Sequence, residues 1–460
     1  MKYLDIVKSL PYLVIKGNIE QEFKGKIRID SRLVNPGDIF VAIIGNKVDG
    51  HDYINSAINN GAKGIITEKD ITVPDDIVVI KVPSTKDSLL SLAALIRKFY
   101  NNIPLIAVTG SVGKTTTKEL IYYLLSNKYK VLRSKGNHNN YIGVPLTLFE
   151  LDNTYDICVL ELGMNHLKEI EKLSNICLPT DAIITLIGTS HIGLLGSKDN
   201  IFKAKMEITS GLGTGTLFIN GDDSYLKKIK SNIYRIIRCG LNKTNDIRAL
   251  SILSTDNNLY FKVNILDKYY KVVFPIPNEG LVNDILLATG VALKYNVKIE
   301  DILNTLENYP GIENRNQIIK LKNNITLIDD SYNSSFESLK AGLKMLESFS
   351  KNKIVIIGDI LELGSHSIEI HKKIKNLLKD YDKVILVGNY VKNIVGKGFV
   401  YCNNVSDTIK YLETINLNDK VIYIKASHAL GLSEVVENIK KRENSLKGTQ
   451  CQGLNKKERV

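Results

Sequence analysis

The stretch Leu105-Ile106-Ala107-Val108-Thr109-Gly110-Ser111-Val112-Gly113-Lys114-Thr115-Thr116 decides the fold class. Its first four residues read as a buried strand, and the residues from Thr109 onward read as a phosphate-binding turn that opens a helix. Gly110 and Gly113 let the backbone fold tightly enough for successive N–H groups to face phosphate oxygens. Lys114 offers a point charge to the outer phosphates of a nucleotide, and Thr115 offers a hydroxyl to Mg²⁺. The expected ATP contacts are therefore Thr109, Gly110, Ser111, Val112, Gly113, Lys114, Thr115 and Thr116. The match to G-x-x-x-x-G-K-[ST] is incomplete, because Val108 stands at the first glycine position. The competing reading, a glycine-rich turn that binds nothing, leaves the ordered strand, Gly-Lys-Thr and helix unexplained.

Outward from this loop, strand and helix alternate. A helix from Asp87 to Tyr100 leads through Pro104 into the loop's strand, and the runs Ile157–Leu160 and Ala182–Ile187 read as buried parallel strands. Alternation from Ile247 to Phe274 predicts a small antiparallel patch, with helices after it from about Leu281 and Ile299. From Arg315 the pattern restarts: strand 325–328, helix 337–349, strand 354–357, helix 368–378, strand 384–387 and a last strand 421–424. That is a second α/β unit, open and doubly wound. Before the loop lie short strands such as Ile39–Ile43 and a helix near Tyr53–Asn60, which Gly61 ends. The reading is an α/β protein of three domains, at residues 1–83, 84–312 and 313–440, with 441–460 a polar, frayed tail.

A chain of 460 residues, 44% hydrophobic and 24% charged, suits several soluble cores rather than one. No apolar run reaches the ~20 residues a membrane helix needs. Asp5 and Lys8 interrupt any signal-like core in 1–17, so a cytoplasmic location without membrane insertion is expected. Five scattered cysteines read as reduced thiols. The net charge of +12 admits either affinity for anions or a general bias toward Lys, Asn and Ile. The basic residues are dispersed and form no nucleic-acid stripe, so no nucleic-acid partner is expected.

The variant Thr-Gly-x-x-Gly-Lys-Thr-Thr is similar to the loop of the Mur ligase and folylpolyglutamate synthase superfamily. Further stretches resemble the Mur ligases: Gly136-Asn137-His138-Asn139-Asn140, Glu161-Leu162-Gly163-Met164-Asn165, Asp329-Asp330-Ser331-Tyr332-Asn333 and Leu361-Glu362-Leu363-Gly364. Asp30-Ser31-Arg32 and Asp49-Gly50-His51-Asp52 resemble the family's UDP-sugar domain. The resemblance runs from about Ile27 to about Glu437. It implies a small N-terminal UDP-sugar domain, a central P-loop ATPase domain with a parallel sheet, and a Rossmann-like C-terminal domain. It also implies a monomeric ligase that uses ATP and Mg²⁺ to join D-Ala-D-Ala to UDP-MurNAc-tripeptide through an acyl phosphate. A related ligase acting on another carboxylate and amine is the alternative.

By the same resemblance, Lys114, Glu161, His191 and Lys205 form the catalytic set. Thr115, Glu161, His191 and a carbamylated Lys205 hold metal, and Asn283, Arg315 and Asp330 meet ATP. Asp30, Ser31, Arg32, Asp49, Gly50, His51, Asn139, Asn140, Tyr332 and Asn333 contact the substrates. The chain departs from the pattern at Glu279 and Gly280, where the family has His-Asn, and at Ser334, Ser335 and Phe336, where it has Ala-Asn-Pro. Ala426 and His428 replace a Gly and an Arg. These departures put the choice of amine in doubt more than the reaction class.

Overall fold

The computed structural model describes residues 1–378 and 381–445. Three sheets succeed one another along the chain. The first is built from β1 (Val14–Lys16), β2 (Ile27–Arg28), β3 (Ile39–Val41), β4 (Gly64–Thr67) and β5 (Val78–Lys81), in the order β1-β5-β4-β3-β2. Only β1 runs antiparallel to its neighbour.

The second sheet has nine strands: β6 (Leu105–Thr109), β7 (Val131–Arg133), β8 (Ile157–Glu161), β9 (Asp181–Ile184), β10 (Thr216–Asn220), β11 (Arg235–Gly240), β12 (Ile247–Ser254), β13 (Leu259–Ile265) and β14 (Lys268–Phe274). Their order is β14-β13-β12-β11-β10-β9-β6-β8-β7. β6, β8, β9 and β10 are buried along their whole length, as strands covered on both faces must be. The chain leaves β6 toward β7 on one side and later crosses to β9 on the other. The loop after β6 therefore opens at a switch point of the sheet, where α/β folds bind ligands. The helix Thr85–Phe99 covers this sheet through Leu89, Leu92, Ala93 and Ile96, one face at helical spacing, capped by Ser84 accepting from the Asp87 amide. Each large apolar side chain so buried contributes roughly 1.5–3 kcal/mol.

The third sheet comprises β15 (Gln317–Lys320), β16 (Thr326–Asp329), β17 (Asn352–Gly358), β18 (Lys383–Val387), β19 (Phe399–Cys402) and β20 (Lys420–Lys425), ordered β15-β16-β20-β17-β18-β19. All are parallel except β15.

The antiparallel patch expected at 247–274 is formed by β12, β13 and β14, and β12 pairs parallel with β11, so the patch extends the central sheet. Two expectations change. The strand expected to reach Ile187 stops at Ile184, because Thr185 turns its hydroxyl back to the Val112 carbonyl of the phosphate loop. Of the tail placed at 441–460, residues 441–445 continue the helix Ser433–Ser445. Val435, Val436 and Ile439 bury one face of that helix, and Glu443 accepts from Asn323. The remainder lies outside the described residues. Among the described residues no helix is long and apolar enough to cross a membrane, and Cys158, Cys177, Cys239 and Cys402 are each buried and unbridged.

Candidate active site

A cavity of about 410 Å³ lies between the carboxyl ends of the central strands and the C-terminal sheet, with the phosphate loop as its floor. Gly110 and Gly113 hold φ of +146° and +88°. A Cβ at Gly110 would collide with the Thr185 hydroxyl and crowd the Thr185 and Leu186 amides, and one at Gly113 would collide with the Asp284 carboxyl. Glycine is therefore required at both positions by space as well as by conformation. The helix Lys114–Leu125 begins at left-handed Gly113 with no side-chain cap, which leaves its first amides available to an anion. Ser111 Oγ is buried and unpartnered beside them.

Lys114 Nζ donates to the Gly110 carbonyl at 2.9 Å. Burial lowers its proton affinity, Glu161 opposes that, and Arg315 adds to it. Thr115 Oγ1 donates to Glu161 Oε2 at 2.7 Å, and Asn139 Nδ2 donates to Glu161 Oε1 at 2.9 Å. Burial works against the Glu161 carboxylate. Lys114, Lys118, the Asn139 bond and Arg315 together outweigh it, so the group stays ionised below its ordinary range. Asn140 serves the turn instead, accepting from the Ile142 and Gly143 amides.

Lys205 lies on the helix Lys198–Met206 behind the cavity wall, fully buried, with no hydrogen-bond partner for Nζ. Burial first, then the nearby charge of Lys114, drives its proton affinity well below that of an ordinary lysine, against Glu161, Glu207 and Glu169. His191 lines the cavity with φ +64°. Its Nδ1 stands 2.9 Å from Glu362 Oε2, a contact bent away from an ideal hydrogen bond.

The opposite wall comes from the third sheet and its entry. Arg315 reaches Thr115 Oγ1 at 3.1 Å and lies 4.2 Å over the Tyr332 ring, whose centroid is 5.4 Å from that of His428. Asp330 is committed internally: Lys425 Nζ donates at 2.6 Å, Tyr423 Oη at 3.0 Å and the Asn316 amide at 3.2 Å. Lys425 also donates to the Asn333 carbonyl. The cavity thus gathers Ser111 through Thr116, Asn139, Asn140, Glu161, His191, Arg315, Asp330, Tyr332 and Asn333. Asn283 is not in its wall. The next residue, Asp284, is, and burial raises its carboxyl to about 8 against Thr117 and Arg315.

The expected sugar-site residues sit apart, on the first sheet. Asp30 caps the turn Ser31–Leu33 and holds exposed Arg32 by a bidentate contact. Asp49 caps Gly50–Tyr53, accepts from the His51 amide and pairs with Lys69. His51 Nε2 accepts from the Glu68 amide, so Nδ1 carries the proton toward Asp49 at 2.6 Å. Asp49 and His51 therefore hold the loop in shape, while Arg32 remains open to a ligand.

Sequence reasoning assigned no role to Asp284, Asn316, Glu337, Lys425 or Glu362. Glu362 stood in a quoted motif, but only its distance from His191 reveals a contact. A second cavity, of about 590 Å³, lies at the ends of β17, β18 and β19, where Asp359 is already saturated by the amides of Asn389, Tyr390 and Val391. It gathers no comparable set of reactive groups.

Comparison with known proteins agrees with this geometry. Residues 25–100 match the Mur ligase family catalytic domain, 108–292 the Mur ligase middle domain, and 314–428 the Mur ligase glutamate ligase domain. UDP-N-acetylmuramoyl-tripeptide--D-alanyl-D-alanine ligase of Buchnera aphidicola is 34% identical, over 90% of this chain and 92% of that protein. The Escherichia coli ligase of the same name is 30% identical, over 89% and 92%. Among solved structures, MurF from Acinetobacter baumannii superposes with a TM-score of 0.86 at 28% identity, covering 96% of this chain and 98% of that one. MurF from Thermotoga maritima in complex with ADP superposes with 0.82 at 27% identity, covering 92% and 99%.

Proposed function

The chain belongs to the Mur ligase family, and from that premise we propose that it joins D-alanyl-D-alanine to UDP-MurNAc-tripeptide, converting ATP to ADP and phosphate. The relatives' names carry the choice of substrates. The observation that carries the chemistry is Lys205, a fully buried amine without a hydrogen-bond partner, within reach of the charges of Lys114 and Glu161. A buried ammonium there would be costly. A neutral amine can add to CO₂: the N–C bond forms, one proton leaves, and the product is a carbamate anion.

The residues present fit a hard cation. Thr115 Oγ1 and Glu161 would hold one Mg²⁺ with nucleotide oxygens, and His191 with the Lys205 carbamate a second. Among the described residues no three His, Cys, Asp or Glu side chains form a metal cage by themselves, and nucleotide oxygens would supply the remaining donors. The ions supply charge neutralisation at the transferring phosphoryl group.

The chain's own residues do the rest. The amides of Val112 to Thr115 cradle the phosphates, and Lys114 and Arg315 offset the charge that builds as the tripeptide carboxylate takes the γ-phosphoryl group. The resulting acyl phosphate is attacked by the neutral dipeptide amine, a tetrahedral intermediate collapses, and phosphate and a proton leave. The wall of Tyr332, Asn333 and His428 closes the cavity and keeps water from the acyl phosphate. One chain supplies both walls, so a monomer suffices, and a nucleotide-linked substrate suits a cytoplasmic enzyme. The test is ADP release that requires both substrates, together with hydroxamate formation when hydroxylamine replaces the dipeptide. Release of AMP and pyrophosphate would overturn the reading.

A further inference from the structure

Glu362 belongs to the loop between β17 and the helix Ser367–Lys375, on the C-terminal side of the cavity. It is held in the left-handed region at φ +64°, as His191 is across the interface. Two non-glycine residues in that conformation, facing each other at a site, mark strain that the surroundings impose. The loop is well supported. Ile360 donates its amide to His371 Nε2 at 3.2 Å, Leu361 to Ser427 Oγ at 2.9 Å, and Ser427 to the Asp359 carbonyl at 3.1 Å. The Glu362 carbonyl accepts from the Gly193 amide at 3.1 Å. Gly193 and Gly364 meet backbone to backbone: a Cβ on Gly193 would lie 2.6 Å from the Leu363 carbonyl carbon, and one on Gly364 2.8 Å from Gly193 Cα. The Glu362 side chain is thereby delivered to His191 Nδ1 at 2.9 Å.

We propose that Glu362 is a positioning residue for His191, supplied across the domain interface, so that docking of the C-terminal domain orients the imidazole that faces the metal end of the cavity. A histidine that holds a metal through one nitrogen has its tautomer and ring angle fixed by the partner of the other. The Glu362 carboxylate beside Nδ1 favours the tautomer protonated there, which leaves Nε2 as the lone-pair nitrogen of a cavity-lining residue. When the loop is withdrawn, His191 loses that orienting group, and metal binding is coupled to closure. The inference rests on the ligase reading above.

The test measures Mn²⁺ binding by electron paramagnetic resonance, in the full chain with a non-hydrolysable ATP analogue, for wild type, Glu362→Ala, Glu362→Gln, His191→Ala and the His191→Ala/Glu362→Ala double variant. Loss of such an orienting partner weakens metal affinity about 10–100-fold, and Glu362→Ala is expected to show that loss with analogue affinity unchanged. Glu362→Gln, which keeps an acceptor oxygen, falls between the two and guards against a folding defect in the alanine variant. The double variant is no worse than His191→Ala alone, because both act through one group. Wild-type Mn²⁺ affinity in Glu362→Ala and Glu362→Gln, or losses that add in the double variant, overturns the positioning role alone. Absence of Mn²⁺ binding in wild type overturns the ligase reading with it.

Discussion

Lys205 is invisible to sequence reasoning except by resemblance, because a lysine in Phe202-Lys203-Ala204-Lys205-Met206 looks like any solvated helix lysine. Its complete burial sets it apart from Lys203, which is exposed. Lys205→Ala is expected to be nearly inactive and to regain part of its activity in formate or acetate, whose carboxylates can occupy the space left. Rate assays across carboxylate concentration check this, and indifference to both anions would remove Lys205 from the reaction. Asp284, which the sequence did not flag, makes a second prediction. Its carboxyl titrates near 8 in the fold against an ordinary value of 3.8. Between those values the folded chain keeps a proton that the unfolded chain releases, so stability falls as pH rises from about 4 to about 8 and is level above. Asp284→Asn removes that penalty. It should gain about 1–3 kcal/mol at pH 8 and little at pH 4, read from urea unfolding at the two pH values.

At the level of the element, local signals were the legible ones. The phosphate loop could be read because Gly, Lys and Thr act on their own neighbours. The antiparallel run β12–β14 was recognised, but the attachment of β12 to β11 depends on pairing that spans the sheet and leaves no local mark. The helix Ser433–Ser445 was not read from the sequence at all, because its apolar residues sit among Lys, Glu and Asn, and only the burial of Val435, Val436 and Ile439 makes it a packed element. The structure also explains a departure from the family pattern. Ser335 caps the helix Phe336–Met345, accepting from the Ser338 amide, and Phe336 takes the first helical position, where Pro is favoured but not needed. Ser335→Ala should therefore cost about 1 kcal/mol in chemical unfolding. Phe336→Pro should leave stability level or raise it by up to about 1 kcal/mol. A large loss in Phe336→Pro would show that the phenyl group itself holds the turn.

Across the whole molecule, the outer units meet the centre differently. The first sheet is tied to the central one by ion pairs: Lys26 reaches Glu150 and Asp152, and Arg28 bridges Asp38 and Glu150. The third sheet meets it through the site itself, with Arg315 on Thr115, Glu337 on Thr189 and Glu362 on His191. Glu150→Ala should lower stability by about 1 kcal/mol at low ionic strength and by less at 1 M salt, since these groups are partly solvated. It should also speed proteolysis within residues 1–83, and an effect independent of salt would count against an electrostatic tie.

The far wall of the cavity has a consequence for the cell that makes this chain. The phosphate loop is complete once residue 116 has been synthesised, but Arg315, Tyr332, Glu362 and His428 emerge much later from the ribosome. Domains fold in order as they appear, so a chain that has reached the end of the central unit, near residue 312, carries a folded nucleotide cradle with one side missing. Such a fragment holds the phosphate loop but lacks the opposite wall on which the proposed transfer depends. On the proposed reaction, chains released before the last α/β unit has arrived are expected to be inert toward the ATP pool.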